Sequence, residues 1–362
     1  PVHATMGTGV YPRVHLLAEN TARLPNGTVG EMFFHEADPR LLRGTTLADA
    51  WDLANKNLPW VGMIGFHSWH LGMMGKGARS RGGDRDVAVL WNREQEMFGT
   101  NEEVYSLPAY LPGDEELERR VRGLDGLDGS LDGRWRGNDL ADPFTLPGTP
   151  AFVDHVGDAL FRMLRHEPIG ADGTTDLLFV ELQTTDYAGH VWNMESEEVG
   201  DVLLAQDRIL GRLVSFLDRE IGPGRYVLAL TADHGQVPLP ETTGGLRIDR
   251  FRLAEDLNEL VGAGVVQAVH PDDIYLDMEA VEASGLTVEQ IARLVAGYRY
   301  RDGLPEGADL SSGEAERLNE RVFAAVLPGD FLAGLTDEEA RAFGPGRYAE
   351  GDLTTPPAIR SL

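Results

Sequence analysis

Two six-residue apolar runs, Leu177 to Leu182 (LLFVEL) and Tyr226 to Thr231 (YVLALT), flank a long stretch with a different rhythm. Between them, Val199, Val202, Leu203, Ile209, Leu210, Leu213, Phe216 and Leu217 recur every three or four positions. That stripe is the signature of an amphipathic helix, and the flanking runs read as buried strands. Ser196 offers a helix start, and Gly222-Pro223-Gly224 a firm stop. Strand, crossover helix and strand imply a βαβ unit and a parallel sheet. Trp60 to Phe66 (WVGMIGF) and Asp86 to Trp91 (DVAVLW) supply two more short apolar runs bounded by Pro, Gly or charge. The expected fold class is therefore α/β, a mostly parallel central sheet with helices on both faces. Val265 to Val269, Ile274 to Met278 and a helix-like Val288 to Val295 suggest a smaller α+β insert at about residues 241–330. No internal repeat is visible.

Composition narrows the partners. The chain has 362 residues, of which 42% are apolar, enough for a sizeable core in one large domain. Thirty-two basic against 59 acidic residues give a formal charge of −27. Such a surface repels duplex nucleic acid and anionic membranes, since both are held mainly by Lys and Arg. A small anionic substrate binds such a chain only where metal cations reverse the local field. There is no Cys, so disulfides, thiolate metal sites and Cys nucleophiles are excluded. The apolar runs fall far short of the roughly 20 residues that span a bilayer. The Gly/Asp-rich stretch Leu124 to Gly133 (LDGLDGSLDG) reads as an exposed loop, lacking EF-hand spacing.

Directly after the LLFVEL run comes Thr184-Thr185-Asp186-Tyr187-Ala188-Gly189-His190, and after YVLALT comes Ala232-Asp233-His234-Gly235. In open parallel sheets, ligands bind beyond the carboxyl ends of the strands. Each cluster thus puts one carboxylate and one imidazole at the same rim. Asp186 and His190 are four apart, so a helical turn would place both on one face. Asp233 and His234 are adjacent and need a bend, which Gly235 permits. Either pair alone is more often solvated or structural; the two together, separated by one crossover helix, point to a metal site. The donor set suits zinc, with manganese and iron as alternatives.

The stretch from Asp176 to Pro240 resembles the core of the alkaline-phosphatase superfamily, in its type I phosphodiesterase/nucleotide pyrophosphatase branch. The family pattern T-D-x-x-G-H, a long helix, then T-A-D-H-G is matched here by TTDYAGH and TADHGQVPLP. The resemblance implies an alkaline-phosphatase-like fold and two divalent metal ions, most simply Zn2+, with Asp186 and His190 on one and Asp233 and His234 on the other. It implies a hydrolase of phosphate esters acting through a Thr or Ser phospho-enzyme on a small anionic substrate. Family members are commonly exported, which implies an extracytoplasmic setting.

The amino end, PVHATMGTGVYPRVHLLAEN, is similar to the family segment that follows the nucleophile. Pro1 and His3 fit the positions after it, so the nucleophilic Thr or Ser is expected two residues upstream of Pro1. Gly9, Pro12 and His15 fit the next part, with Leu16 where Gly is usual. Asn20 falls where some family phosphatases place a phosphate-binding Asn. Thr5 and Thr8 read as early helix residues. The family's first-strand Asp ligand and a third His ligand have no counterpart here, and His270 lacks the neighbours that such a His has. The chain therefore reads as one incomplete catalytic domain, residues 1–362, with both ends missing.

Two other stretches bear on the substrate. Phe66-His67-Ser68-Trp69-His70 follows the WVGMIG run and reads either as rim residues or as ordinary loop packing. Phosphomonoesterases of this family often carry a K-x-R grip there, whereas here Lys76, Arg79 and Arg81 come about ten residues later. That favours a diester, whose phosphate carries one charge less. The rival expectations are a phosphomonoesterase or phosphonoacetate-type hydrolase of the same superfamily, and a non-catalytic module that keeps the fold. Cofactor-independent phosphoglycerate mutases fit the motif spacing less well, and His3 stands where sulfatases carry Arg.

Overall fold

The computed structural model describes residues 1–24, 26–32, 38–66, 68–92, 95–270, 273–336 and 339. The chain divides into two compact units, Pro1–Ala22 with Glu31–Pro238, and Arg23–Gly30 with Leu239–Leu362.

In the first unit, helix α1 (Val2–Thr8) opens the chain and helix α2 (Leu47–Ala54) follows. A reciprocal cap starts α2: Asp49 N–H donates to Thr46 Oγ1 at 3.1 Å, and Thr46 N–H donates to Asp49 Oδ2 at 3.0 Å. Strand β1 (Val61–Gly65) leads into helix α3 (Ser68–Gly72). Strands β2 (Val87–Asn92) and β3 (Met97–Gly99) follow, then helices α4 (Asp114–Asp125) and α5 (Pro150–His166). Strand β4 (Leu177–Val180), helix α6 (Thr184–Trp192) and helix α7 (Glu197–Phe216) complete the unit.

The sheet order is β3-β2-β1-β4. Parallel pairing sets Gly62 against Val87 and Val61 against Leu177, while β3 runs antiparallel to β2. Successive strand residues point to opposite faces, and both faces are covered. On one face Ile64, Val89 and Trp91 pack with Phe152, Val156 and Leu160 of α5 and Val202, Ile209 and Leu213 of α7. On the other, Met63, Ala88 and Leu90 pack with Leu71, Val104 and Tyr105. Each fully buried aliphatic side chain of this kind contributes about 1.5–3 kcal/mol. Caps fix where the long helices begin: Thr149 Oγ1 accepts from Phe152 N–H, and Ser196 Oγ from Val199 N–H.

The YVLALT run departs from expectation. Residues 226–231 join no sheet, and Val227 is 96% and Leu230 75% exposed. A strand exists only by pairing with another, and among the described residues none lies alongside. Among the described residues the sheet instead ends at β4, whose own residues are only half-buried. The strand and crossover helix of the expected βαβ unit form; its second strand does not.

The second unit has its own core. Helix α8 (Arg250–Val261) is capped by Asp249, strand β5 (Val266–Val269) pairs antiparallel with β6 (Ile274–Leu276), and helices α9 (Met278–Ser284) and α10 (Val288–Gly297) follow. Leu253, Leu257, Ile274, Leu276, Ile291 and Val295 interlock at its centre. No helix among the described residues is long and apolar enough to cross a membrane.

Candidate metal centre

The chain leaves β4 at Glu181 and turns straight into α6. Gln206 on α7 holds that turn: its Nε2 donates to Leu182 O at 2.7 Å, and its Oε1 accepts from Thr185 Oγ1 at 2.5 Å. Asp186 sits in the first turn of α6, where the helix dipole favours a carboxylate. One turn later His190 comes round to the same face, its Nε2 3.4 Å from Asp186 Oδ1. That Oδ1 is sealed from solvent and accepts no hydrogen bond. A buried carboxylate oxygen that accepts no hydrogen bond is costly unless a cation meets it, so the donor fits a metal ligand.

Asp233 and His234 lie in the irregular segment after Thr231. His234 Nε2 is 3.2 Å from Asp233 Oδ2, and its Nδ1 lies 3.0 Å from Gly235 O. Two contacts draw this segment to α6 and β4. Gln236 Nε2 donates to Asp186 O at 3.5 Å, and the approach is so close that a Cβ on Gly189 would lie 1.9 Å from Gln236 Oε1. His3 of α1 makes the second link: its Nδ1 is 3.6 Å from Asp233 Oδ2 and its Nε2 3.9 Å from Glu181 Oε1.

Glu181 organises a further group. It pairs with His70 Nδ1 through Oε1 and accepts from Phe66 N–H at 3.2 Å through Oε2. The rings of His3 and His70 stack with centroids 4.0 Å apart. His3, His70 and Glu181 each offer a donor atom within 4.8 Å of the others, a set that could hold a metal ion. Burial, and then the charge of neighbouring His70, push the His3 imidazole down to about 4. It is therefore neutral at pH 7, with a ring lone pair to offer. Gly65 is required here, since a Cβ would stand 2.5 Å from Glu181 Oε2.

A family model described as type I phosphodiesterase / nucleotide pyrophosphatase matches residues 1–334. The chain belongs to this family. Among curated relatives of this type I phosphodiesterase-family chain, a calcium-transporting ATPase of Myroides odoratus is 29% identical over 194 residues, which is 49% of this chain and 35% of that protein. Alkaline phosphatase PhoV of Synechococcus elongatus is 27% identical over 173 residues, 45% of this chain and 31% of the relative. Alkaline phosphatase PafA of Elizabethkingia meningoseptica is 30% identical over 132 residues, 34% and 24% of the two chains. The matched regions thus span about a third or less of these relatives' own lengths. The crystal structure of wild-type alkaline phosphatase PafA superposes with a TM-score of 0.61 at 20% identity, over 82% of this chain and 66% of that one. The fold is that of an alkaline phosphatase, a mostly parallel sheet with helices, and the family is one of phosphoester hydrolases.

The other residues singled out from this phosphodiesterase-family sequence fall in several places. Asn20 is exposed, and among the described residues no hydrogen bond joins its side chain to either Asp–His couple. Thr5 and Thr8 lie in α1, Thr5 bonded to His15 at 3.0 Å and Thr8 to Ala4 O at 2.6 Å. His15 is fully buried and accepts from Leu17 N–H, which makes it a structural pin. His270 lies beyond β5 in the second unit, its ring edge-on to Tyr275. Lys76 Nζ donates to Gly44 O and Arg79 binds Asp38 at 2.7 Å, so both cations are engaged locally. His67 lies outside the described residues. Leu124 and Asp125 close helix α4 rather than opening a loop. Sequence reasoning passed over Glu181, which hides inside an apolar run; a lone carboxylate one residue past the strand was the available signal.

Proposed function

We propose that this chain carries the metal-binding face of a two-metal phosphoester hydrolase, a phosphodiesterase or nucleotide pyrophosphatase acting on small anionic esters. The observation that carries it is the pairing of Asp186 with His190 and of Asp233 with His234 on segments joined through Gln236 and His3. Asp186 with His190 would hold one divalent ion, most simply Zn2+, and Asp233 with His234 the other. When bound, such ions neutralise phosphoryl charge and acidify a hydroxyl or water. The chain's own residues do the positioning. The first turn of α6 fixes Asp186, Gln206 fixes that turn, and neutral His3 braces Asp233 against Glu181. The nucleophile is assigned to a Thr or Ser two positions before Pro1, and Asn20 to a phosphate-binding role, both by family resemblance.

A diester is favoured over a monoester because Lys76 and Arg79 are engaged by Gly44 and Asp38 rather than held for a phosphate dianion. The test uses protein that includes the residues upstream of Pro1. Elemental analysis should find about two zinc ions per chain. Bis(p-nitrophenyl) phosphate should turn over faster than p-nitrophenyl phosphate. Faster monoester turnover would make the chain a phosphomonoesterase, and the absence of both metal and turnover would make it a non-catalytic module.

A further inference from the structure

Away from the candidate centre, a second set of ligand-type side chains gathers at the start of β2. One carboxylate oxygen each from Asp52, Asp84 and Asp86 lies within 4.8 Å of the others. The three come from separate places: Asp52 from α2, Asp84 from the loop ahead of β2, and Asp86 from the residue just before Val87. Asp52 is 5% and Asp86 8% exposed, while Asp84 faces solvent. Asp49 adds a fourth carboxylate on α2, already bonded to Thr46 N–H and Lys76 N–H. Among the described residues no Lys or Arg forms an ion pair with Asp52, Asp84 or Asp86. Lys76 turns its ammonium to Gly44 O instead. Ionising all three carboxyl groups in this largely buried spot, with no protein counter-charge, is strongly unfavourable unless a cation joins them.

A second observation concerns individual oxygens. Asp52 Oδ1 is sealed from solvent and accepts no hydrogen bond. The same holds for Asn57 Oδ1, although the Asn57 amide donates to Gly82 O at 3.0 Å and so lies against the loop that carries Asp84. Native proteins leave few buried oxygens unsatisfied, and those that remain commonly answer to an ion or water.

We propose that Asp52, Asp84 and Asp86 form a structural calcium site, with Asn57 Oδ1 as a further donor. The donors are all hard oxygens with no nitrogen or sulfur, which selects Ca2+ or Mg2+ over zinc. Three carboxylates and an amide oxygen from one chain suit Ca2+, whereas Mg2+ keeps most of its waters and takes one or two carboxylates. Exposed Asp84 leaves a mouth through which waters complete the shell. The ion ties α2 to the loop and the first residue of β2, and so braces one face of the sheet without touching the candidate catalytic residues.

Isothermal titration of CaCl2 into EDTA-stripped, desalted protein tests this, in a background carrying Asp186→Asn and Asp233→Asn to weaken the other centre. The expected result is one Ca2+ per chain with a melting temperature that rises with Ca2+. Asp84→Asn is exposed and so tolerated by the fold, which circular dichroism checks; it should weaken Ca2+ binding at least tenfold. Asp128→Asn, at an exposed loop elsewhere, should leave binding unchanged. Three outcomes would overturn the assignment: neither heat nor a melting shift at millimolar Ca2+, undiminished binding by both Asp84→Asn and Asp86→Asn, or tighter binding of MgCl2 than of CaCl2.

Discussion

His155 lies on α5 in the core, 1% exposed, stacked on Phe98 at 5.0 Å and edge-on to Trp91 at 5.5 Å. Its Nδ1 is sealed without a hydrogen-bond partner. Burial pushes this imidazole from 6.5 down to about 4, only partly opposed by the charges of Asp158 and Glu116. The native state therefore binds fewer protons at this site than the unfolded chain between pH 4 and 6.5. Stability from this group is complete above pH 6.5 and is lost as the pH falls through that window. At pH 5 nearly every unfolded chain has charged the ring while the native one has not, which destabilises the fold by about 2 kcal/mol relative to pH 8. The assay is urea unfolding of the parent and of His155→Phe at pH 8 and pH 5. Other groups contribute equally to both proteins, so the difference between the two pH effects isolates His155. His155→Phe should lose about 2 kcal/mol less on acidification than the parent, whatever its packing costs. Parallel losses in the two proteins would refute the reasoning.

Three further perturbations follow from the packing and the site. Gly65→Ala sets a methyl 2.5 Å from Glu181 Oε2, so it should dislodge Glu181 from His70 and cost about 1–3 kcal/mol in thermal unfolding; a silent substitution would mean that Glu181 is not held there. Ile209→Ala, at a site 1% exposed between α5 and the sheet, should cost about 2–5 kcal/mol in denaturant titration. Asp186→Asn keeps the side chain's shape but weakens it as a ligand, and should lower the zinc content measured by mass spectrometry with little change in the far-ultraviolet spectrum. Unaltered zinc would remove Asp186 from the metal set.

What the sequence disclosed depended on how local each signal was. The α7 stripe and its Ser196 cap are written in consecutive residues, and helix Glu197–Phe216 follows them closely. The four-residue step from Asp186 to His190 is likewise local, and α6 turns it into a shared face. The YVLALT run carried an equally strong pattern, yet a strand is a relation between two segments, and composition cannot supply the second. Glu181, His3 and His70 converge only because β4 ends, α1 begins and α3 follows β1 at one place, so no spacing announces them. Asp52, Asp84 and Asp86 are scattered for the same reason: the loop returning to β2 brings them to α2. Their residue types were visible, but their proximity was not.

The flank of β4, which pairs with no further strand among the described residues, and the exposed apolar residues Val227, Leu228 and Leu230 bear on how the molecule behaves in solution. A strand flank that pairs with no further strand among the described residues, and exposed valine and leucine elsewhere, are each a template for joining one copy to another. The opposing force is the formal charge of −27, which keeps copies apart at low ionic strength. Added salt shortens the reach of that repulsion to about 8 Å near physiological strength while leaving apolar attraction intact. This chain should therefore remain dispersed in dilute buffer and associate as salt rises, opposite to a molecule held together by ion pairs.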